Sequence, residues 1–211
     1  MKKRVFLFIT GIILMVVISF LFIRQQENNR EELTNTYQLS PDEIASLQEG
    51  DIIFRHGFGL ISDAIVRCSE EDFPISHCGI IVKDSAGNLF VIHTVSNTLA
   101  AIDGLQKDNL KTFVKGSCPN SMLVTRYNYE NDTLQKQIAE QANFYLLQQI
   151  PFDHHFDCSD TTAFFCTEFI RNVFFNAIHV DLYDEQKRDC MSFSPLYNPM
   201  RFTIVLNHHE L

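Results

Sequence analysis

Two short apolar runs joined by a turn sequence constrain the fold of this chain more than any other feature. The runs cover residues 77–82 and 89–95, and Asp84-Ser85-Ala86-Gly87-Asn88 lies between them. This pattern predicts a β-hairpin, which favours antiparallel strand pairing. Further short strands are predicted at residues 51–54, 121–127 and 201–206.

Helical patterns alternate with these strands. Apolar residues recur at helical spacing over about 59–68, from Asn131 or Asp132 to Leu146, and over about 163–177. Ser40 and Pro41 resemble an N-cap and the first helical residue of a short helix that reaches about Gln48. Helices mixed with an antiparallel hairpin predict an α+β fold.

The first 24 residues are a separate segment. Val5 to Ile23 is a run of 19 residues without a charge, preceded by Lys2, Lys3 and Arg4. At about 1.5 Å per residue, such a helix spans the roughly 30 Å hydrocarbon core of a bilayer. The run has no small-residue cleavage site, and the positive-inside rule exports whatever follows it. We therefore predict a single-pass signal anchor, with cleavage as the less favoured alternative.

The rest of the chain is acidic. Residues 25–39 are polar and predict a stalk, and the folded domain is expected from residue 40 to residue 211. Without residues 1–24 the chain loses four of its 17 Lys and Arg residues, and its net charge becomes −13. A nucleic-acid partner needs a basic surface and is excluded. Anionic lipid headgroups would repel this domain, so the predicted anchor would hold it at the membrane.

Two histidines fall in the predicted hairpin. His77 opens the first strand, and His93 shares a face of the second strand with Val91 and Val95. A single histidine on an apolar strand face is most often a buried core residue. Two histidines on adjacent strands can approach within about 5 Å, and one imidazole could then orient the other.

Cys166 lies near the start of the helix predicted at 163–177. The unpaired N–H groups and the dipole at a helix start favour a thiolate, although spacing alone favours an inert buried cysteine. A Cys–His pair would supply a nucleophile and a general acid–base. The backbone N–H of Cys166 could then donate to the oxyanion.

These residues carry a family resemblance. Gly50-Asp51-Ile52-Ile53-Phe54, then Ser76-His77-Cys78-Gly79-Ile80, then Ile92-His93-Thr94 resemble the GDLVF…SHVGI…IHA signature of NlpC-type papain-like cysteine hydrolases. In that family the first histidine is the base and the second position orients it, which implies these roles for His77 and His93.

The order of the motifs resembles one branch of that family. Phe165-Cys166-Thr167-Glu168-Phe169 is similar to the nucleophile motif of the circularly permuted YiiX/YaeF-like group, and Pro151-Phe152-Asp153 is similar to the short strand before it. The resemblance runs from about residue 50 to residue 175. It implies a circularly permuted papain-like (NlpC-type) fold, an antiparallel sheet packed on helices, with Cys166 as the nucleophile.

Several positions leave alternatives open. Cys158, in Phe156-Asp157-Cys158-Ser159, resembles the nucleophile of the unpermuted family, but Gly and an apolar helix do not follow it, so Cys166 is preferred. By the resemblance Arg55 borders the cleft and would bind substrate, and a solvated surface arginine is the alternative. Glu168 is expected to be structural. Spacing gives no disulfide pairing, and no cofactor or metal is expected, because the remaining His and Cys residues lack zinc-ligand spacing.

We therefore predict a membrane-anchored cysteine hydrolase on the periplasmic or extracellular side. Cys166 would attack an amide (peptide) or ester carbonyl, His77 would transfer the proton, and His93 would orient His77. The resemblance leaves cell-envelope peptides and lipid-linked amides open as substrates. The alternative function is a non-enzymatic, membrane-tethered binding module with a papain-like cleft.

Overall fold

The computed structural model describes residues 2–97, 102–128, 133–183 and 190–209. The first seven elements along the described chain are α1 (Lys2–Thr34), α2 (Pro41–Ser46), β1 (Ile52–Arg55), α3 (Leu60–Cys68), β2 (His77–Lys83), β3 (Leu89–Val95) and β4 (Gly104–Asn109). They are followed by α4 (Leu110–Lys115), β5 (Leu123–Tyr127), α5 (Thr133–Leu147), α6 (Cys166–Ile178), a 3-10 turn (Ser194–Leu196) and β6 (Phe202–Asn207).

The strands described form an antiparallel sheet in the order β4-β3-β2-β1-β5-β6. Its central strands are buried on both faces. Phe54 and Ile80 pack in one cluster with α5 and α6, whereas Ile53, Ile81 and Val91 pack in a second cluster with α4. Successive strand residues point to opposite faces, so a strand covered on both sides needs an apolar side chain at nearly every position. The covering of both faces therefore explains why the central strands are near-continuous apolar runs in the sequence.

Most of the predicted elements are confirmed. The hairpin, the α+β class and the helices at α2, α3, α5 and α6 agree with the sequence patterns. Ser40 and Glu43 form the reciprocal cap of α2. The suggested caps of α5, Asn131 and Asp132, lie outside the described residues.

One strand, β4, and one α-helix, α4, were not predicted. The β4 sequence, GLQKDN, has one large apolar residue because this strand lies at the sheet edge and exposes alternate side chains. Without an apolar run, the sequence pattern gave no strand there.

The apolar stripe of α3 predicted the helix correctly but not its orientation. Ile61 is 49% exposed and Ile65 is 37% exposed. The helix is held instead by polar contacts, since Asp63 lies 3.1 Å from His56 Nε2. The spacing of apolar residues predicts a helix, and tertiary contacts decide which side of that helix packs against the protein.

The N-terminal helix α1 continues to Thr34, through most of the predicted stalk. Among the residues that the structure describes, no helix is both long enough and apolar enough to cross a bilayer. The membrane span over residues 1–24 is therefore not confirmed and stays a prediction. Directly after α1, the Asn35 side chain donates to the carbonyls of Lys115 and Ser117 at 2.7 and 2.8 Å.

Asp51 is a fully buried carboxylate at the start of β1. Arg126 of β5 donates to both of its oxygens at 2.7 Å, and the Gln48 N–H donates at 2.8 Å. Taking a carboxylate out of water is costly unless donors replace the lost hydration. The ion pair therefore ties β1 to β5 and explains why an aspartate precedes the first strand.

Replacing Asp51 with Asn should lower the free energy of unfolding by about 3 kcal/mol, because breaking one side of a buried ion pair leaves the other charge uncompensated. Equilibrium urea denaturation followed by circular dichroism measures the change. The matched control is Glu140→Gln, which removes an exposed pair with Lys136 and should cost less than about 0.5 kcal/mol. A loss in Asp51→Asn no larger than that of the control would contradict this account.

Candidate active site

His77 and His93 form a hydrogen-bonded pair across the hairpin. His77 Nε2 lies 2.9 Å from His93 Nδ1, and the rings meet edge to face with centroids 5.0 Å apart. His93 is 1% exposed. The structure thus brings together the two imidazoles that the sequence placed on neighbouring strands.

Gly79 makes this approach possible. It lies two residues after His77 and therefore on the same face of β2. A Cβ at this position would lie 2.6 Å from Val91 Cγ1 and 3.0 Å from His93 Cβ, closer than side chains pack. The glycine lets the side chains of β3 occupy the space beside His77.

Asp108 of β4 adds a third residue to the pair. Its Oδ2 lies 3.1 Å from His93 Nε2, and the hydrogen bond from His93 lowers the pKa of Asp108. Asp108 is paired with Val91 in the register, so it faces the same side of the sheet as His93. Sequence reasoning missed Asp108 because β4 was not predicted. The only available signal was a weak alternation in a polar segment.

The hydrogen bonds define the tautomers of both histidines. An ionised Asp108 only accepts, so His93 carries its proton on Nε2 and its Nδ1 accepts. His77 must then donate to His93 from Nε2. The remaining nitrogen of His77, Nδ1, is left with a free lone pair. These proton positions are assigned from the order of the hydrogen bonds.

Burial keeps both imidazoles neutral. Burial lowers the pKa of His77 to about 4, and it also lowers the pKa of His93, although Cys166 and Asp108 respectively act to raise them. The Phe113 ring of α4 covers this face, with its centroid 5.2 Å from that of His93. Neutral rings are what the tautomer assignment requires.

Cys166 is the first residue of α6. The N-cap, Phe165, makes no side-chain hydrogen bond to the first turn. The chain before the helix is fixed to the sheet because the Thr94 hydroxyl donates to the Phe164 carbonyl at 3.1 Å. A thiol at this position meets the positive end of the helix dipole.

A disulfide secures the same region. Cys158 is bonded to Cys190, with their Cα atoms 6.1 Å apart. The hydroxyl of Thr167 donates to the Cys190 carbonyl, so the segment after α6 is tied to its first turn. Cys158, the alternative nucleophile in the sequence, is therefore engaged in a disulfide, whereas Cys166 is free and partly exposed.

Two neighbouring residues, Cys78 and His77, favour the ionised form of the Cys166 sulfur. The Cys78 thiol is the stronger influence, and with the His77 ring and the Cys78 N–H it holds the pKa of Cys166 well below its ordinary value, against the opposing effect of burial. Cys78 belongs to the cluster on the α6 side of the sheet. Cys166 therefore lies beside the start of β2, close to both Cys78 and His77, which are on opposite faces of that strand. Sequence reasoning gave Cys78 no role.

Arg55 lies directly opposite His77 in the β1–β2 register. Its guanidinium carbon is 4.2 Å from the centroid of the Phe113 ring, and its Nη1 donates to the Phe113 carbonyl at 2.9 Å. Arg55 is partly buried and thus is not a solvated surface arginine.

Glu168 lies two residues after Cys166 and is 1% exposed. Neither of its carboxylate oxygens has a hydrogen-bond partner among the described residues. Burial raises the pKa of Glu168 to about 8. The side chain is therefore mostly protonated at neutral pH.

Comparison with known proteins identifies the class. A family model described as permuted papain-like amidase enzyme, YaeF/YiiX, C92 family, matches residues 46–196. The chain therefore belongs to this family of permuted papain-like amidases, as the motifs indicated, and a hydrolase-type function follows from the membership.

A solved structure with this fold is the metalloprotein YiiX from Escherichia coli O157:H7. It is 19% identical to this chain, the match covers 78% of this chain and 99% of that one, and the TM-score is 0.62. The likeness confirms the permuted papain-like arrangement of antiparallel sheet and helices. No curated protein matches the sequence.

Iodoacetamide should modify Cys166 faster than Cys68 at about pH 6, although Cys68 is the more exposed thiol, because only a lowered pKa leaves thiolate at that pH. Mass spectrometry of the labelled peptides gives both rates. His77→Ala should slow the labelling of Cys166 and leave that of Cys68 unchanged. Equal rates at the two cysteines, or no effect of His77→Ala, would disprove an activated thiol.

Glu168→Gln should change how stability depends on pH. The folded carboxyl has a pKa near 8, against about 4.3 in the unfolded chain, so the fold binds the proton more tightly. The stability linked to this proton is complete below about pH 4.3 and declines as the pH rises to about 8.

The native protein should therefore lose thermal stability between about pH 5 and pH 8, and Glu168→Gln should lose less. Melting temperatures followed by circular dichroism test this. Glu140→Gln, at an exposed glutamate, should decline as the native protein does. If Glu168→Gln also followed the native curve, the buried carboxyl would not be the titrating group.

Proposed function

We propose that this chain is a cysteine hydrolase that cleaves an amide or ester bond through an acyl-enzyme on Cys166. The observation that carries the proposal is the continuous order of contacts from Cys166 to His77, His93 and Asp108. It supplies a nucleophile, a base with a free lone pair, and two groups that orient the base. The predicted Cys-His-His site gains Asp108 as a fourth residue.

In the first half of the reaction, the proton held between the Cys166 sulfur and His77 Nδ1 passes fully to His77 as the sulfur attacks the carbonyl carbon. The carbonyl electron pair moves onto oxygen, and the Cys166 N–H at the start of α6 donates to this oxyanion. The His77 imidazolium then protonates the leaving nitrogen or oxygen as its bond to carbon breaks. A thioester remains on Cys166.

In the second half, His77 Nδ1 takes a proton from water as the water oxygen attacks the thioester carbon. The tetrahedral intermediate collapses, the carbon–sulfur bond breaks, and the acid product leaves. The imidazolium returns its proton to the sulfur. His93 accepts from His77 Nε2 throughout, and the Asp108 charge stabilises the imidazolium through His93.

The proposal places this chemistry outside the cytoplasm, at the membrane. The 19-residue uncharged run with its preceding cations supports an anchor, and the Cys158–Cys190 disulfide is typical of exported proteins. The substrate would be a cell-envelope peptide or a lipid-linked amide, since both present an acyl carbonyl next to an anchored enzyme.

The proposed steps use no metal, although the YiiX structure is described as a metalloprotein. The described residues contain no group of three or more His, Cys, Asp or Glu side chains that could hold a metal ion. Two further histidines are paired with carboxylates, since His154 lies 3.1 Å from Asp103 and His208 lies 2.7 Å from Glu43.

Trapping of the acyl-enzyme tests the function. The native protein is incubated with cell-envelope extract, quenched in acid and digested, and the Cys166 peptide is examined by mass spectrometry. We expect an acyl mass increment on this peptide in the native protein and in the control Cys68→Ala. Cys166→Ala should carry none.

The binding-module alternative gives a different result. In that case no covalent increment forms, and a ligand from the extract is retained equally by the native protein and by Cys166→Ala. Such an outcome would overturn the hydrolase proposal, because a binding cleft does not need the sulfur.

A further inference from the structure

The guanidinium of Arg55 lies in a cradle formed by Phe113 and Gly116. The Phe113 carbonyl accepts from Nη1 at 2.9 Å, and the Phe113 ring lies under the guanidinium carbon at 4.2 Å. A Cβ on Gly116 would come within 2.8 Å of Nη1, so the absence of a side chain there makes room for the cation. The chain thus holds this charge in one place rather than leaving it in solvent.

The cradle lies beside the histidine pair. Arg55 is the cross-strand neighbour of His77, and Phe113 packs against Arg55, His77 and His93. Asp108 lies close enough that its charge and that of Arg55 influence each other. The Arg55 Nε is buried without a hydrogen-bond partner among the described residues, so the cation is held at some cost.

We propose that Arg55 is a positioning residue: its fixed charge balances that of Asp108 and, together with the burial of the ring, keeps His93 neutral, with the proton on Nε2. The inference deepens the proposed function, because it names what maintains the proton arrangement that the base requires.

The reason lies in what would happen without the cation. An uncompensated Asp108 would favour a protonated His93, as a carboxylate within hydrogen-bonding distance stabilises an imidazolium. His93 would then donate from Nδ1 to His77 Nε2. His77 would be driven to carry its proton on Nδ1, facing Cys166, and could not accept the thiol proton.

The other charged and titratable neighbours are few. Burial lowers the pKa of His93 most, Asp108 from β4 raises it, and Arg55 from β1 lowers it further. Cys166 from α6 acts on His77. Glu32 near the end of α1 favours the positive form of Arg55, whereas burial raises the pKa of the Cys118 thiol to about 11 and leaves it uncharged at neutral pH.

The test follows both histidines directly, without substrate. In a Cys166→Ala background, long-range ¹H–¹⁵N NMR spectra report the protonation and tautomer of His77 and His93 across a pH titration. Arg55→Gln keeps a donor for the Phe113 carbonyl but removes the charge. It should move the His93 titration upward by about one pH unit or more. It should also convert His77 to the Nδ1–H tautomer as His93 becomes protonated.

Matched variants separate the effect of the Arg55 charge from the effect of its packing and hydrogen bond. Arg55→Lys keeps the charge and should leave both titrations as in the parent. Arg171→Gln removes a cation that is paired with Asp181 and should also leave them unchanged. Arg55→Met provides a second neutral variant, and dispersed backbone amide spectra show which variants are folded.

Unchanged titrations in Arg55→Gln would overturn the proposal. If the same variant only weakened the retention of envelope ligands, Arg55 would be the substrate contact that the sequence suggested. Because the titration needs neither substrate nor turnover, its failure is distinct from failure of the acyl-enzyme experiment.

Discussion

The candidate active site depends on one chain of hydrogen bonds, in which each group fixes the proton position of the next. Asp108 can only accept, which sets the proton of His93, and His93 in turn sets the proton of His77. The result is a lone pair on the nitrogen of His77 that faces away from His93. A carboxylate or an amide in the place of His93 could orient a base by itself. An imidazole has two possible tautomers and therefore needs Asp108 behind it.

The antiparallel sheet is suited to this arrangement because β4, β3 and β2 are neighbours. Each strand supplies one member, and the spacing of paired strands gives hydrogen-bond distances between side chains on one face. The nucleophile, Cys166, is the first residue of α6 and lies beside Cys78 near the start of β2. The Cys158–Cys190 disulfide and the contact from Thr94 to Phe164 hold that end of α6 in place.

The sequence predicted those features that depend on local pattern. Strand alternation and the turn sequence gave the hairpin with His77 and His93 on its two strands, and helical spacing placed Cys166 near a helix start. Asp108 could not be found in this way, since its contact with His93 is diagonal across two strands and β4 has no apolar run. Cys78, the partner of Cys158 and the outward-facing side of α3 were missed for a related reason. Each depends on how distant elements pack, which no local period encodes.

The proton positions are the most direct test of the account. Neutron diffraction from crystals of the native protein at neutral pH locates the exchangeable protons on both histidine rings. We predict a proton on Nε2 of His77 and on Nε2 of His93, and no proton on Nδ1 of His93. A proton on His93 Nδ1, or a His77 ring whose Nε2 rather than Nδ1 faces the sulfur of Cys166, would contradict the account.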